Sequence, residues 1–307
     1  MILKVYSIGI DLGGTNLRAA AFDETGKLLK KISGSTPVEA GPEAVITDMV
    51  RSAAQLRSEF GPDSLAGIGA GVPGNINMQT GVVEGWNNVP AFNGYPTRDE
   101  LAKRLAAPVI LENDANSAAL GEHWMGAGRG VDDLVMLALG TGIGGGIISA
   151  GRILHGHVGM AAELGHITVV PNGNPCGCGN RGCIEKHASA QAIGAMARML
   201  GLGSNLSAQD VHALAEQGEE RARTIYRSAG ESLGIALAAL VNIFNFPLYL
   251  LGGGVSAAWD LFAPAMLAEV ERRSLTYRLT RQSTRIERAT LGADAGLYGA
   301  GSLPFRK

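Results

Sequence analysis

The sequence predicts a mixed α/β protein built from two related halves with a cleft between them. Its 307 residues exceed the ~100–200 that usually surround one hydrophobic core, so two domains are expected. Short apolar runs alternate with segments of helical spacing, as in sheets covered by helices. A strand, a glycine turn with a hydroxyl residue and a second strand occur twice, at residues 5–22 and 134–149. This internal repeat indicates that the two halves share one topology.

Residues 1–115 are predicted to form a small N-terminal domain. Apolar runs that end at turns predict strands at residues 5–10, 17–22, 66–72 and 108–111. Apolar residues at helical spacing predict helices at residues 43–60 and 98–105.

Residues 116–293 are predicted to form a larger domain, which a helix at residues 115–125 introduces. Two strands, at 134–139 and 147–149, flank a glycine loop at 140–146. Later elements are helices at 188–200, 208–217 and 219–244 and a strand at 248–251. The C-terminal segment 294–307, with a helix at about 294–302, is predicted to pack back onto the first half.

Composition excludes several classes of protein. The 26 basic and 28 acidic residues give a formal charge of −2, which argues against nucleic-acid and anionic-membrane partners. Hydrophobic residues make up 46% of the chain and charged residues 18%, which excludes a disordered chain. No apolar stretch approaches the ~20 residues that cross a bilayer. All three cysteines lie within residues 176–183, unlike a secreted disulfide framework, so a cytoplasmic protein is expected.

The turn after the first strand is a candidate phosphate-binding site. Gly13 and Gly14 can present backbone N–H groups to a phosphate with no Cβ in the way. Thr15 adds a hydroxyl donor, and Asp11 is a candidate ligand of Mg²⁺. An ordinary hairpin with an acidic neighbour is the alternative interpretation.

A second glycine turn strengthens the phosphate interpretation. Gly140, Thr141 and Gly142 repeat the strand–glycine–hydroxyl pattern in the other half. Neither turn has the lysine of a phosphate loop, and neither opens a helix as a dinucleotide fingerprint does. The two turns are therefore expected to close on one polyphosphate from opposite sides. A third turn, at Gly253 and Gly254, would let an adenine or ribose approach the backbone, although such a turn on its own is more often structural.

One short segment carries a predicted zinc site. His166, Cys176, Cys178 and Cys183 form a Cys₃His set, a standard tetrahedral combination for Zn²⁺. Four protein ligands leave no position for a water molecule, so the predicted zinc is structural. Three free thiols beside an unrelated histidine are the alternative.

Acidic residues near this segment are candidate sugar-binding and catalytic groups. Glu163 and Glu185 flank the cysteines and would accept hydrogen bonds from sugar hydroxyls. Ordinary surface carboxylates are the alternative interpretation. Asp114 follows Asn113 at the end of an apolar strand, where α/β folds collect ligands. As a general base it would accept a proton while the substrate oxygen bonds to phosphorus. The plainer role is the N-cap of the following helix.

Together these residues resemble the ROK family (repressors, open reading frames and kinases). The specific part is Glu163-x-Gly165-His166, followed by the cysteine segment that ends at Glu185. The resemblance implies an actin-like ATPase and sugar-kinase fold, whose ribonuclease H-like halves close an interdomain cleft on ATP and a hexose.

The resemblance also implies roles for individual residues. Asp114 is the catalytic base, and Asn113 binds the sugar beside it. Glu163, His166 and Glu185 grip the sugar ring, with Gly74 and Asn88 at the rim of the pocket. The phosphate and Mg²⁺ region, with the adenosine subsite, is implied at Asp11, Gly13, Gly14, Thr15, Gly140, Thr141, Gly142, Gly253 and Gly254.

Similarity to the bacterial glucokinase branch implies ATP-dependent phosphorylation of a hexose, glucose being favoured, at its 6-hydroxyl. Fructose, mannose, allose and the N-acetylhexosamines are alternative substrates, and ADP and polyphosphate are alternative donors. A sugar-responsive repressor is a further alternative, but seven residues before Ile8 leave no room for a helix-turn-helix module. Family precedent implies a homodimer or homotetramer.

Overall fold

Two five-stranded mixed sheets organise the computed structural model, which describes residues 5–14, 16–36, 38–86 and 89–306. The first half contains β1 (Tyr6–Leu12), β2 (Asn16–Asp23), β3 (Leu28–Ser35), β4 (Leu65–Val72), β5 (Asn75–Asn77), β6 (Val82–Gly85) and β7 (Val109–Asn113). The sheet order is β3-β2-β1-β4-β7, and β5 pairs with β6 in a separate hairpin.

The parallel strands of the first sheet bring candidate site residues to one edge. β1, β4 and β7 run parallel, while β2 and β3 are antiparallel to their neighbours. Asp11 is in register with Gly71, and Val72 is in register with Asn113. The carboxyl ends of β1 and β7 therefore flank that of β4.

The second sheet repeats this topology. It contains β8 (Leu134–Leu139), β9 (Ile143–Ser149), β10 (Arg152–Ile153), β11 (Leu248–Gly252) and β12 (Arg285–Arg288), in the order β10-β9-β8-β11-β12. As in the first sheet, the first three strands pair antiparallel, here β8, β9 and β10, and the last two strands, β11 and β12, join the sheet in parallel. The internal repeat of the sequence is thus a repeated sheet, and each copy places a glycine turn after its first strand.

Ten helices cover the sheets within the described part of the chain. They are α1 (Pro42–Phe60), α2 (Thr97–Leu105), α3 (Asp114–Met125), α4 (Glu185–Ala188), α5 (Ala190–Met199), α6 (Ala208–Glu216), α7 (Glu220–Phe244), α8 (Trp259–Arg273), α9 (Leu275–Thr280) and α10 (Ala295–Ser302). None of these is long and apolar enough to cross a bilayer.

Each sheet has its own hydrophobic core. Ile8, Ile46 and Ile68 are fully buried in the core between the first sheet and α1. Leu137 and Leu237 are fully buried in the core between the second sheet and the helices around α7. Burial of apolar surface at ~25 cal/mol per Å² is the main stabilising term of both cores.

The C-terminal helix packs against the first sheet. α10 contacts β1, β4 and α3, and the Ser7 hydroxyl of β1 donates a hydrogen bond to the Gly301 carbonyl at 2.6 Å. α3 also contacts β9 of the second sheet. Because residue 115 lies in the first turn of α3, a division of the chain there falls inside a helix.

The predicted glycine loop at 140–146 is shorter in the structure. β9 begins at Ile143, so Gly144 and Gly146 are strand residues and not part of the turn. A Cβ at Gly144 would lie 2.7 Å from the Ala115 Cβ, and one at Gly146 would lie 2.6 Å from the Ala119 Cβ. These glycines let α3 pack directly on the strand.

Candidate active site

A cavity of about 560 Å³ lies where the turn after β4, the start of α3 and the segment before α4 meet. This cavity, called the first cavity below, is lined by six of the residues that the sequence assigns to sugar binding: Gly74, Asn113, Asp114, Glu163, His166 and Glu185. Asn88, which was also assigned there, lies outside the described residues. Residues up to 111 positions apart therefore line the same cavity, since Gly74 and Glu185 both contribute to it.

Asn113 fixes the start of α3. Its side-chain oxygen accepts hydrogen bonds from the N–H groups of Ala115 at 2.9 Å and Asn116 at 3.1 Å, which makes it the N-cap. Its side-chain amide donates to the Gly74 carbonyl at 3.1 Å. The capping role that the sequence left open for Asp114 therefore belongs to its neighbour.

The Asp114 carboxylate lines the first cavity from the first residue of α3. One of its oxygens accepts a hydrogen bond from the Ala115 N–H at 2.8 Å. Burial raises the pKa of Asp114 from its ordinary value of 3.8 to about 6; the Ala115 N–H opposes this, and the charges of Asp11 and Glu163 add to it. Asp114 is therefore a stronger base than an ordinary aspartate, and it is ionised at neutral pH.

The turn at Gly74 requires a glycine. Its φ is +92°, and a Cβ there would lie 2.5 Å from the Gly85 carbonyl oxygen. The close approach places the β5–β6 hairpin over the cavity, where Trp86 contributes to the wall. The sequence did not predict Trp86 as a site residue, because it belongs to no motif. Only its position directly after β6 shows that it lines the cavity.

Four predicted metal ligands converge beside the first cavity. One ligand atom from each of His166, Cys176, Cys178 and Cys183 lies within 4.8 Å of the others. The Cys176 Sγ lies 3.6 Å from the His166 Nδ1, and the Cys178 and Cys183 sulfurs are 3.6 Å apart. Tetrahedral Zn²⁺ with Zn–S distances of ~2.3 Å would hold its sulfurs about 3.8 Å apart. The donor set and its spacing both fit this ion.

His166 faces both the metal ligands and the cavity. Its Nδ1 points to Cys176, while its Nε2 lies 3.8 Å from the Glu163 carboxylate. The imidazole can therefore bind a metal through one nitrogen and present the other to a ligand in the cavity.

A second cavity, also of about 560 Å³, adjoins the first and shares Asp114, Trp86 and Glu185 with it. Its wall also includes five of the residues predicted to bind phosphate or adenosine, which come from the three glycine turns: Gly14, Gly140, Thr141, Gly142 and Gly253. A third cavity, of about 520 Å³, is lined by Gly253 and Gly254 with Arg288 and Thr290. Asp114 thus lies where the first two cavities meet.

The first turn contributes less of its backbone than the sequence predicts. The Gly13 N–H donates to the Asn16 carbonyl at 2.8 Å and is used within the turn, so Gly14 is the residue that reaches the second cavity. Asp11 pairs with Arg18 at 3.2 Å, and burial raises the pKa of Asp11 against the effect of that cation. Thr15 lies outside the described residues.

The sequence model of the ROK family matches residues 7–306.

This chain belongs to the ROK family.

A glucokinase from Thermotoga maritima is 39% identical to this ROK protein, over 98% of this chain and 97% of that protein. An N-acetyl-D-glucosamine kinase from Haemophilus influenzae is 32% identical, over 97% of this chain and 99% of that protein. The family predicted from the cysteine segment is therefore confirmed.

Solved ROK structures share the fold. The ROK hexokinase from Thermus thermophilus is 35% identical, with a TM-score of 0.84 over 97% of each chain. The ROK glucokinase from Streptomyces griseus, solved with glucose and AMPPNP, is 32% identical, with a TM-score of 0.82 over 97% of this chain and 98% of that one. The predicted actin-like α/β fold is confirmed.

Proposed function

We propose that this ROK protein transfers the γ-phosphoryl group of ATP to the 6-hydroxyl of glucose. The observation that carries the proposal is the position of Asp114 between two cavities. One cavity presents carboxylates and a histidine suited to sugar hydroxyls, and the other presents glycine turns suited to phosphates. The glucokinase relatives, and the solved glucokinase with glucose and AMPPNP, support glucose and ATP as the pair.

In the proposed reaction, Asp114 accepts the proton of the attacking 6-hydroxyl as its oxygen bonds to the γ-phosphorus, while the bond from that phosphorus to the bridging oxygen breaks and ADP leaves. Phosphoryl transfer needs positioning and charge neutralisation more than covalent help from the protein. Asn113, Glu163, His166 and Glu185 would hold the sugar against the base, and the glycine turns would hold the phosphates on the opposite side. Gly253 and Gly254 line the third cavity, where adenosine would bind.

Two metal ions have different roles in this proposal. Zn²⁺ would be held by His166, Cys176, Cys178 and Cys183 as a structural ion, since four protein ligands complete its coordination. Asp11 has the carboxylate oxygens that Mg²⁺ prefers, although one of them pairs with Arg18, and its charge acts on Asp114. Bound there with ATP, Mg²⁺ would neutralise phosphate charge.

We also propose that the protein works in the cytoplasm as a homodimer or homotetramer. The three cysteines are unpaired, and a reducing compartment would keep them available to a metal. Ile243 of α7 and Leu275 and Leu279 of α9 are exposed large hydrophobic residues on two helices that contact each other, which supports association at this part of the surface. Light scattering in solution measures the assembly directly.

A substrate panel tests the proposed function. The kcat/KM with ATP is compared for glucose, mannose, fructose, allose, N-acetylglucosamine and N-acetylmannosamine, and ADP and polyphosphate are then tested as donors with the best sugar. Glucose with ATP is expected to give the highest value. A higher kcat/KM for an N-acetylhexosamine would contradict the proposed substrate. The difference can be large, since a sugar that leaves one buried hydrogen-bonding group of the site unpaired can be rejected by ~10⁴ or more.

A further inference from the structure

A buried carboxylate lies two residues before the proposed base. Glu112 is 1% exposed near the end of β7. Its Oε1 accepts hydrogen bonds from the Asn113 N–H at 2.9 Å and the Asn116 side-chain amide at 3.0 Å. Glu112 therefore holds two residues in the junction between β7 and α3, and Asp114 lies between them.

The second oxygen of Glu112 reaches the other half of the protein. Its Oε2 lies 2.7 Å from the Nε2 of His155, which follows β10 of the second sheet. A buried carboxylate is costly unless it is paired, and the His155 ring supplies the partner. The hydrogen bond to Glu112 also raises the pKa of His155, which favours the charged pair.

His155 begins a segment that forms part of the cavity wall. Residues 159–162 line the first cavity and lead directly into Glu163. The Ala161 N–H donates to the His155 carbonyl at 3.1 Å, which closes residues 155–161 into a loop. We call residues 155–162 the wall loop.

The wall loop also contacts the hairpin of the first half. Gly159 has a φ of +95°, and a Cβ there would lie 2.7 Å from the Ile76 carbonyl oxygen and 2.6 Å from the Met78 side chain. The loop is therefore held at its tip by the β5–β6 hairpin and at its base by Glu112. Both contacts cross from the second half of the chain to the first.

We propose that His155 is a positioning residue for sugar binding, because its pair with Glu112 fixes the wall loop against the junction that carries Asn113 and Asp114. The inference rests on the proposed function, since it takes a hexose as the ligand of the first cavity. His155 does not touch the reacting atoms in this account. It acts through Glu112 on one wall and through Ala161 on the other.

The test replaces His155 and a matched histidine. His155→Leu removes the hydrogen bond to Glu112, and His155→Gln keeps an N–H donor. His157→Leu is the control, because His157 is exposed on the same loop. His155→Leu is expected to raise the KM for glucose about 5–20-fold, with the KM for ATP changed less than about twofold. His155→Gln should recover most of the glucose affinity, and the control should match the wild type.

Three outcomes would overturn the inference: an unchanged glucose KM in His155→Leu, an equal rise in both KM values, or no recovery in His155→Gln. Thermal melting checks folding. If His155→Leu does not fold, the glucose KM of His155→Gln is compared with that of His157→Leu. A small rise in His155→Gln supports the inference, and equal values overturn it. A double-mutant cycle of His155→Leu with Glu112→Gln adds an independent check. The effects of the two substitutions on the logarithm of the glucose KM should be less than additive. Full additivity would show that the two residues act independently and would overturn the inference. Glucose turnover by the wild type, measured in the same assay, tests the proposed function separately.

Discussion

Glu185 accepts a hydrogen bond from the Ile143 backbone N–H at 3.2 Å. Glu185 lies two residues after the metal-ligand candidate Cys183, and Ile143 follows the second glycine turn. A Cβ at Gly142 would lie 2.3 Å from the same carboxylate oxygen. The segment that carries the cysteines is therefore in direct contact with the proposed phosphate site, and the carboxylate lines both cavities.

This contact predicts that loss of the metal weakens binding of both substrates. Elemental analysis should find about one zinc per chain. Chelation or Cys178→Ser should lower the melting temperature and raise the KM for glucose and for ATP together, because the Cys₃His set orders the segment between Glu163 and Glu185. Full stability and activity in zinc-free protein would contradict the structural role.

The same contact makes Gly142 sensitive to the smallest side chain. Gly142→Ala would push the Glu185 carboxylate from its place and break its bond to Ile143, so the KM for ATP is expected to rise about tenfold. Gly34→Ala is the matched control, since no atom lies within 4 Å of a Cβ built there. Steady-state kinetics with ATP varied at saturating glucose makes the comparison. An equal KM for ATP in the two variants would show that the contact between Gly142 and Glu185 does not contribute to ATP binding.

The raised pKa of Asp114 predicts a pH dependence of turnover. Because the base must be ionised in the free enzyme, log kcat/KM for glucose is expected to fall with unit slope as pH drops below about 6. An essential base with the ordinary aspartate pKa of 3.8 would instead leave kcat/KM flat down to about pH 4. A pH series with an excess of coupling enzymes distinguishes the two.

The same shift predicts an effect on stability. The folded-state pKa lies above the unfolded value, so the ionised carboxylate costs stability above pH 6, and this cost shrinks as pH falls toward 3.8. Asp114→Asn should therefore raise the free energy of unfolding by ~1–3 kcal/mol at pH 8 and by less at pH 4.5. Denaturant unfolding at the two pH values measures the difference. A destabilised variant at pH 8 would show that the charged form is favoured by the fold.

Much of the site could be predicted because its residues carry local patterns. The Cys₃His set is compressed into one segment, and Asp114 follows an apolar strand directly. The glycine turns were harder, since glycine serves two purposes in residues 140–146. Gly140 and Gly142 line the second cavity, whereas Gly146 is a glycine because Ala119 packs on it. Sequence alone does not separate these roles, which depend on a helix 20 or more positions away.

Contacts between distant residues were out of reach. Glu112 and His155 are 43 residues apart, and neither belongs to a recognisable motif. The pairing of Asp11 with Arg18 was missed for a different reason. Although the two residues are only seven apart, they become partners through the antiparallel register of β1 and β2. Strand register and loop packing are set by tertiary contacts that a linear pattern does not contain.

Asp114→Asn tests the central claim most directly, because the amide keeps the shape of the side chain and its acceptor for the Ala115 N–H. Glucose turnover and glucose binding are measured on the same preparation, the binding by calorimetry without ATP. The account predicts that kcat falls by ~10²–10⁴ while the Kd for glucose changes only a few-fold. Turnover at the wild-type rate in this variant would contradict it.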